Sequence, residues 1–172
     1  EGATMSAEII LAVDQGTTNT RVLAVDSGGS IIAQASVPTD LRFPRPGWAE
    51  SDAVSLVRSA AAAMERCIAQ LNAPRGAGIG ISNQRETAIV WERATLVPVG
   101  PAVSWQCLRS AELCDRLRAD GAAERVRELS GLDLSPMFAA GKYAWLLGQV
   151  RHGRERAAAG ELCVGTVDSW LA

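Results

Sequence analysis

The sequence predicts an α/β domain, and three observations carry that prediction. A short, wholly apolar run at residues 9–13 is followed by two further strand-like runs joined by tight turns. One amphipathic helical stripe then leads into a fourth apolar run at residues 78–82, and beyond about residue 110 the chain reads as mostly helical. A meander, a crossover helix, a strand and then more helices is the layout of helices packed on a mixed sheet.

Taken in order, residues 9–13 suit a central strand buried on both faces. Residues 21–25 form the second strand, Asp26-Ser27-Gly28-Gly29 the turn after it, and residues 30–37 the third strand. Pro44, Pro46 and Gly47 make residues 41–48 an irregular connection. Ser51 or Asp52 can cap the next helix, whose expected buried stripe is Val54, Val57, Ala61, Met64, Ile68 and Leu71. Asn72-Ala73-Pro74 stops it. Residues 78–82 read as a buried strand parallel to the first, and residues 88–92 begin another. Helices follow at 110–119, 122–129, 139–150 and 154–159, with Gly121, Gly131 and Gly160 at their ends. A short strand at 162–164 and a helix start at Asp168 complete the pattern.

Composition narrows the function. The chain has 172 residues, 48% of them hydrophobic and 21% charged, enough for a globular domain with a core of ordinary size. A net charge of −2 gives no footprint for nucleic acid or an anionic membrane, and no apolar stretch is long enough to span one. The four cysteines lack CxxC spacing and the chain holds one histidine, His152, so free thiols in a cytoplasmic setting are expected rather than a zinc site. Glu1-Gly2-Ala3-Thr4 reads as a cloning remnant before Met5, residues 1–8 as a tail, and no signal peptide is recognisable.

Three constellations can carry chemistry. In the first, Asp14, Gly16, Thr17, Thr18, Asn19 and Arg21 occupy a polar turn between two apolar strands. Hydroxyls and backbone N–H groups can bond phosphate oxygens, the carboxylate can hold a hydrated cation, and the guanidinium can offset negative charge. An ordinary polar hairpin is the simpler account of such a turn taken alone. The second is Asn83-Gln84-Arg85-Glu86-Thr87 at the end of an apolar strand, where ligands of open sheets gather. Arg85 can donate to, and Glu86 accept from, the hydroxyls of a polyol; a surface brace is the alternative. The third is Ser104-Trp105-Gln106, where an indole can pack on the C–H face of a sugar-like ligand or simply join the core. Residues 140–143 lack the glycine and Ser/Thr of a P-loop, Gly76, Gly78 and Gly80 do not make a dinucleotide fingerprint, and no Ser-His-Asp or Cys-His set is present.

The order of these motifs, together with Pro46-Gly47-Trp48-Ala49-Glu50 and Gly165-Thr166-Val167-Asp168-Ser169-Trp170-Leu171, resembles the N-terminal domain of the FGGY carbohydrate kinases, nearest to their glycerol kinase branch. The resemblance runs from Ile9 to the last residue. It implies a ribonuclease H-like fold of the actin/hexokinase/Hsp70 type, with a mixed sheet flanked by helices. It also implies ATP and Mg²⁺ in a cleft closed by a second domain, and a polyol or sugar that receives the γ-phosphoryl group. In this resemblance Asp14 acts on Mg²⁺ through water, and Thr17, Thr18 and Asn19 meet the phosphates with Arg21 and Gly16 beside them. Arg85, Glu86 and Trp105 meet the substrate.

Two departures matter. Met137 stands where the glycerol kinases carry a substrate-contacting tyrosine, which opens the substrate to another polyol or a ketose of the erythritol or xylulose type. Leu96 replaces a hairpin glycine, a change expected to affect only a turn. The resemblance places the catalytic base in a downstream Gly-Asp-Gln segment and assigns Asp168 a structural role at a helix start. The chain therefore reads as incomplete and is expected not to turn over by itself. A non-enzymatic nucleotide-binding relative is the remaining alternative, and Arg85-Glu86 with Trp105 argues against it. A homo-oligomeric parent stays open.

Overall fold

A computed structural model describes residues 8–72 and 74–172. Its contacts gather into two units, each described here by itself. Residues 1–7 and Ala73, which include the tail and part of the helix-stop signal, lie outside the described residues. Among the described residues no helix is long and apolar enough to cross a membrane.

The first unit comprises residues 8–40, 54–72, 74–84 and 171–172. Strands β1 (Glu8–Gln15), β2 (Asn19–Asp26) and β3 (Ile31–Pro38) form the expected antiparallel meander. Helix α1 (Ala53–Ile68) then leads to β6 (Arg75–Asn83), which pairs in parallel with β1 to give the order β3-β2-β1-β6. The strands numbered between these belong to the second unit. Tight turns favour antiparallel neighbours, whereas a strand reached through a helix joins in parallel. At the β2–β3 turn, Asp26 Oδ1 accepts the N–H groups of Gly28 and Ser30, both at 2.9 Å, and Gly29 takes a φ of 82°.

Three sequence expectations need correction here. Burial in β1 alternates, with Ile9, Leu11, Val13 and Gln15 inside and Ile10 exposed, so the strand is covered on one face rather than two. Residues 78–82 are not buried among the described residues: β6 is longer, pairs with β1 alone and leaves Ile79 60% exposed, and the core gathers on β1, β2 and β3. The buried stripe of α1 is Ala53, Leu56, Ser59, Ala60, Ala63 and Cys67, while Val57 and Ile68 are exposed. Side-chain size explains the shift. Small residues let the helix approach closely enough for Ser59 Oγ and Thr20 Oγ1 to share a 2.8 Å hydrogen bond in the core, and close packing outweighs the larger apolar area of valine and isoleucine.

The second unit comprises residues 41–53 and 85–170. Short strands β4 (Leu41–Arg42), β5 (Glu50–Ser51) and β8 (Ala102–Val103) form one antiparallel sheet, and β7 (Ile89–Glu92) with β9 (Leu162–Gly165) forms another. Helices α2 (Ala111–Ala119), α3 (Ala122–Ser130), α4 (Ala139–Gln149), α5 (Gly153–Ala158) and α6 (Val167–Leu171) match the expected positions, the last of them running one residue into the first unit. Gly121, Gly131 and Gly160 have φ of 79°, 71° and 77°, the left-handed geometry expected of chain reversals at helix ends. The core joins Ala88, Val90, Val103, Cys107, Ala139, Leu146 and Leu162. Arg109 pins its outer layer: the buried guanidinium lies 4.0 Å from the Trp48 ring centre and 4.6 Å from that of Trp145, and donates to Glu50 at 2.5 Å.

Leu96, expected to affect only a turn, has a φ of 57° and is 64% exposed. A branched side chain in the left-handed region costs about 1–2 kcal/mol, offset by about 0.4–1 kcal/mol of backbone entropy that glycine would lose on folding. Leu96→Gly is therefore expected to stabilise the protein by about 0.5–1 kcal/mol, read as a higher denaturation midpoint at unchanged slope.

Candidate functional site

In the first unit the polar turn is a braced structure. The Gly16 N–H donates to the Asn19 carbonyl at 2.9 Å and closes it, and a Cβ on Gly16 would meet that same oxygen at 2.9 Å. Glycine is required by this close approach of backbone. The four successive carbonyls of residues 15–18 all accept hydrogen bonds from within the unit. Gln84 N–H donates to the Gln15 carbonyl at 2.8 Å, and the amides of Gln15 and Gln84 reach the Gly16 carbonyl at 2.9 and 3.2 Å. Thr39 holds the other side, its hydroxyl on the Thr17 carbonyl at 2.6 Å and its N–H on the Thr18 carbonyl at 2.9 Å. Every carbonyl of the turn is thus satisfied from within the unit, as buried backbone polar groups must be.

The sequence-predicted residues meet on this scaffold. Asp14 and Arg21 are direct cross-strand partners, so their side chains leave the same face of the sheet, and both are exposed. Arg21 is steadied by a hydrogen bond to Gln34 Oε1 on β3. The Asn19 amide donates to the Thr18 hydroxyl at 3.3 Å. Sequence reasoning missed the braces, although a signal exists: Gln15 continues the inward-facing alternation of β1 and is fully buried, and a buried amide must find partners. Here it finds Gln84, whose Nε2 lies 3.1 Å from Gln15 Oε1.

In the second unit Glu86, Trp105 and Met137 are tied to one another through short links. Glu86 has a φ of 67°, and its Oε2 accepts the Ala139 N–H at 2.8 Å. The α4 N-cap residue, Phe138, has no side chain able to cap, so the carboxylate does that work from a loop distant in sequence, where negative charge also suits the helix dipole. The next residue, Thr87, is buried, and its hydroxyl receives the Trp105 N–H at 3.2 Å. Trp105 is 38% exposed and so is not a core residue. Met137, also exposed, sits just before α4, with its N–H on Ser135 Oγ at 3.2 Å and its carbonyl on the Lys142 ammonium. Arg85 is exposed, with no hydrogen bond or ion pair among the described residues.

Charges in this unit follow from burial. Lys142 is wholly buried, which lowers its pKa to about 8 even though Glu86, Cys107 and Cys114 act to raise it. Burial, then the charges of Glu86 and Asp168, pushes Tyr143 up to about 12. Asp168 accepts the Thr166 hydroxyl at 2.5 Å in the first turn of α6, as expected of a helix-start residue. Among the described residues no group of three or more His, Cys, Asp or Glu side chains could hold a metal ion.

Known proteins with the same pattern complete the picture. The model of the FGGY family of carbohydrate kinases, N-terminal domain, matches residues 9–172. A glycerol kinase of Ralstonia pickettii is 45% identical over 166 residues, covering 95% of this chain and 33% of its own length. An apulose kinase of Pectobacterium atrosepticum is 41% identical over 167 residues, covering 97% of this chain and 34% of its own. Among solved structures, Plasmodium falciparum glycerol kinase with ADP superposes with a TM-score of 0.90 at 27% identity, over 96% of this chain and 34% of that one. The chain thus spans about a third of the length of the curated relatives it matches. The mixed α/β chain has the actin-type ATPase fold that the resemblance implied. Motif order, sheet topology and the family match agree, and this chain belongs to the FGGY family of carbohydrate kinases, of whose N-terminal domain it forms at least the part from Ile9 to Ala172.

Proposed function

We propose that this domain supplies the phosphate turn and the acceptor pocket of an ATP-dependent polyol or sugar kinase, with glycerol as the first candidate acceptor. The observation that carries the reading is the internally braced turn at residues 15–18, which sets Thr17, Thr18 and Asn19 beside the exposed cross-strand pair Asp14 and Arg21. That set of groups fits a nucleotide phosphate with Mg²⁺: Thr17, Thr18 and Asn19 would hold the phosphates on the turn that Gly16 closes, Arg21 would offset charge, and Asp14 would hold the cation through water. ATP, when bound, supplies the phosphoryl group, and Mg²⁺ neutralises its charge.

The chain's own residues orient the acceptor. Arg85 donates to and Glu86 accepts from neighbouring substrate hydroxyls, while the Trp105 ring packs on the carbon backbone and excludes water. Holding the attacking hydroxyl in line is the larger part of catalysis for this reaction class. The resemblance puts the aspartate that would take the proton of that hydroxyl in its downstream Gly-Asp-Gln segment.

A second acceptor reading is favoured by Met137. An exposed thioether at the pocket's edge offers packing where a hydroxyl would offer a hydrogen bond, which suits a longer polyol or a ketose. The similarity to an apulose kinase supports the same direction. A kinase assay of the full-length protein against a panel of polyols and sugars separates these readings. Highest kcat/KM with glycerol supports the first and highest with a ketose or longer polyol the second. ATP binding with no phosphorylated product on any member would leave a nucleotide-binding relative without kinase activity.

A further inference from the structure

Lys142 belongs to none of the roles assigned above, yet its surroundings are unusual. It is the fourth residue of α4, wholly buried, and among the described residues its ammonium has one hydrogen-bond acceptor, the Met137 carbonyl. An ammonium can donate three bonds, and burying it with one is costly. A methionine of similar length would fill the space without that cost, so packing alone does not account for the lysine.

What it touches belongs to the proposed acceptor site. The Met137 carbonyl that it holds belongs to the loop that presents the Met137 side chain. Three residues earlier in α4, the Ala139 N–H holds Glu86 Oε2. One helical turn therefore secures both sides of the pocket, and Lys142 is the group that ties this turn to the Met137 loop. We propose that Lys142 is the positioning residue of the acceptor pocket, setting the Met137 loop directly and the Glu86 carboxylate through the first turn of α4. The inference rests on the reading of Glu86 and Met137 as acceptor-facing residues.

The charge of Lys142 makes this arrangement sensitive to pH. The titratable groups that act on it are Glu86 from the loop after β6, Cys107 from the segment before α2, and Cys114 from α2; Tyr143, its neighbour on α4, stays protonated to about pH 12. Loss of the Lys142 proton above about pH 8 leaves Glu86 without its compensating charge and weakens the hold on the Met137 carbonyl. The effect is expected on acceptor binding, because the two groups that Lys142 ties together, the Met137 loop and Glu86, belong to the proposed acceptor site.

The test is steady-state kinetics of the full-length protein with ATP and the best acceptor of the panel, between about pH 6.5 and 9.5, a range spanning the lowered ammonium value. The wild type is expected to show an acceptor KM that rises about fivefold or more through pH 8, with the KM for ATP changing by less than about twofold. Lys142→Met is expected to start with an acceptor KM about tenfold higher at pH 7 and to show no rise. Lys142→Arg, which keeps its charge throughout, is expected to hold a low and flat KM. A merely structural lysine would instead raise both KM values together or change neither, and either result overturns the proposal. Should Lys142→Met fail to fold, a flat acceptor KM in the wild type overturns it equally. Absence of turnover by the wild type on every acceptor overturns the kinase reading beneath it, whereas turnover with a pH-independent acceptor KM overturns this inference alone.

Discussion

Glu86→Gln in the full-length protein is expected to lower kcat/KM for the acceptor by about 10²–10³-fold, because a pocket built to accept a hydroxyl proton bond loses its charged acceptor. The fold should tolerate the change. Glutamine can still receive the Ala139 N–H that Glu86 Oε2 accepts at 2.8 Å, and residue 86 keeps its φ of 67° in either case. Stability is expected to fall by no more than about 1 kcal/mol, the usual worth of a charge at a helix N-terminus. Steady-state kinetics and a denaturant melt on the same sample check both halves. A variant that keeps full acceptor efficiency removes Glu86 from the pocket and reduces it to the cap of α4.

Gly16→Ala is expected to do the complementary damage. The added carbon would sit 2.9 Å from the Asn19 carbonyl, the oxygen that closes the turn by accepting the Gly16 N–H. The turn must open to relieve that contact, at about 1–3 kcal/mol of stability, the common cost of overpacking. Displacement of the Thr17 and Thr18 groups by even a fraction of an ångström is expected to raise the KM for ATP about 10–100-fold, given how steeply phosphoryl transfer depends on position. The acceptor KM should stay within about twofold of wild type, since uniform binding of the acceptor is untouched. Isothermal titration with a non-hydrolysable nucleotide measures the loss directly, and unchanged nucleotide affinity would remove the turn from the phosphate site. The two variants divide the kinetics along the line between the two units, one altering acceptor use and the other nucleotide use.

Much of the fold is readable from local pattern. The meander follows from apolar runs separated by Asp26-Ser27-Gly28-Gly29 and by the Gly16 turn, and the helix ends follow from Gly121, Gly131 and Gly160. These are short-range consequences of backbone geometry, where a glycine or an Asx side chain decides the conformation within four residues. Burial was less readable. The stripe on α1 was displaced because apolar periodicity favours the bulky Val57 and Ile68, whereas the packed face is chosen by what lies opposite, here a strand close enough for the Thr20–Ser59 bond. Likewise β6 has the composition of a buried strand, yet among the described residues it pairs with β1 alone and leaves Ile79 and Ile81 exposed.

For the candidate site the division is similar. The sequence by itself determined which residue types stand at the ends of β1 and β6, and their order along the chain identifies the family to which the protein belongs. Only the tertiary structure decided how those residues are held. Gln15 and Gln84 meet across β1 and β6, and Thr39 returns from the end of β3 to the same turn. Glu86 caps a helix that begins 53 residues later. Lys142, dismissed as part of a failed P-loop, lies buried against the Met137 carbonyl. Each of these is a hydrogen bond between residues that no periodicity relates, and the buried Gln15, Gln84 and Lys142 must find such partners wherever the fold brings one within reach.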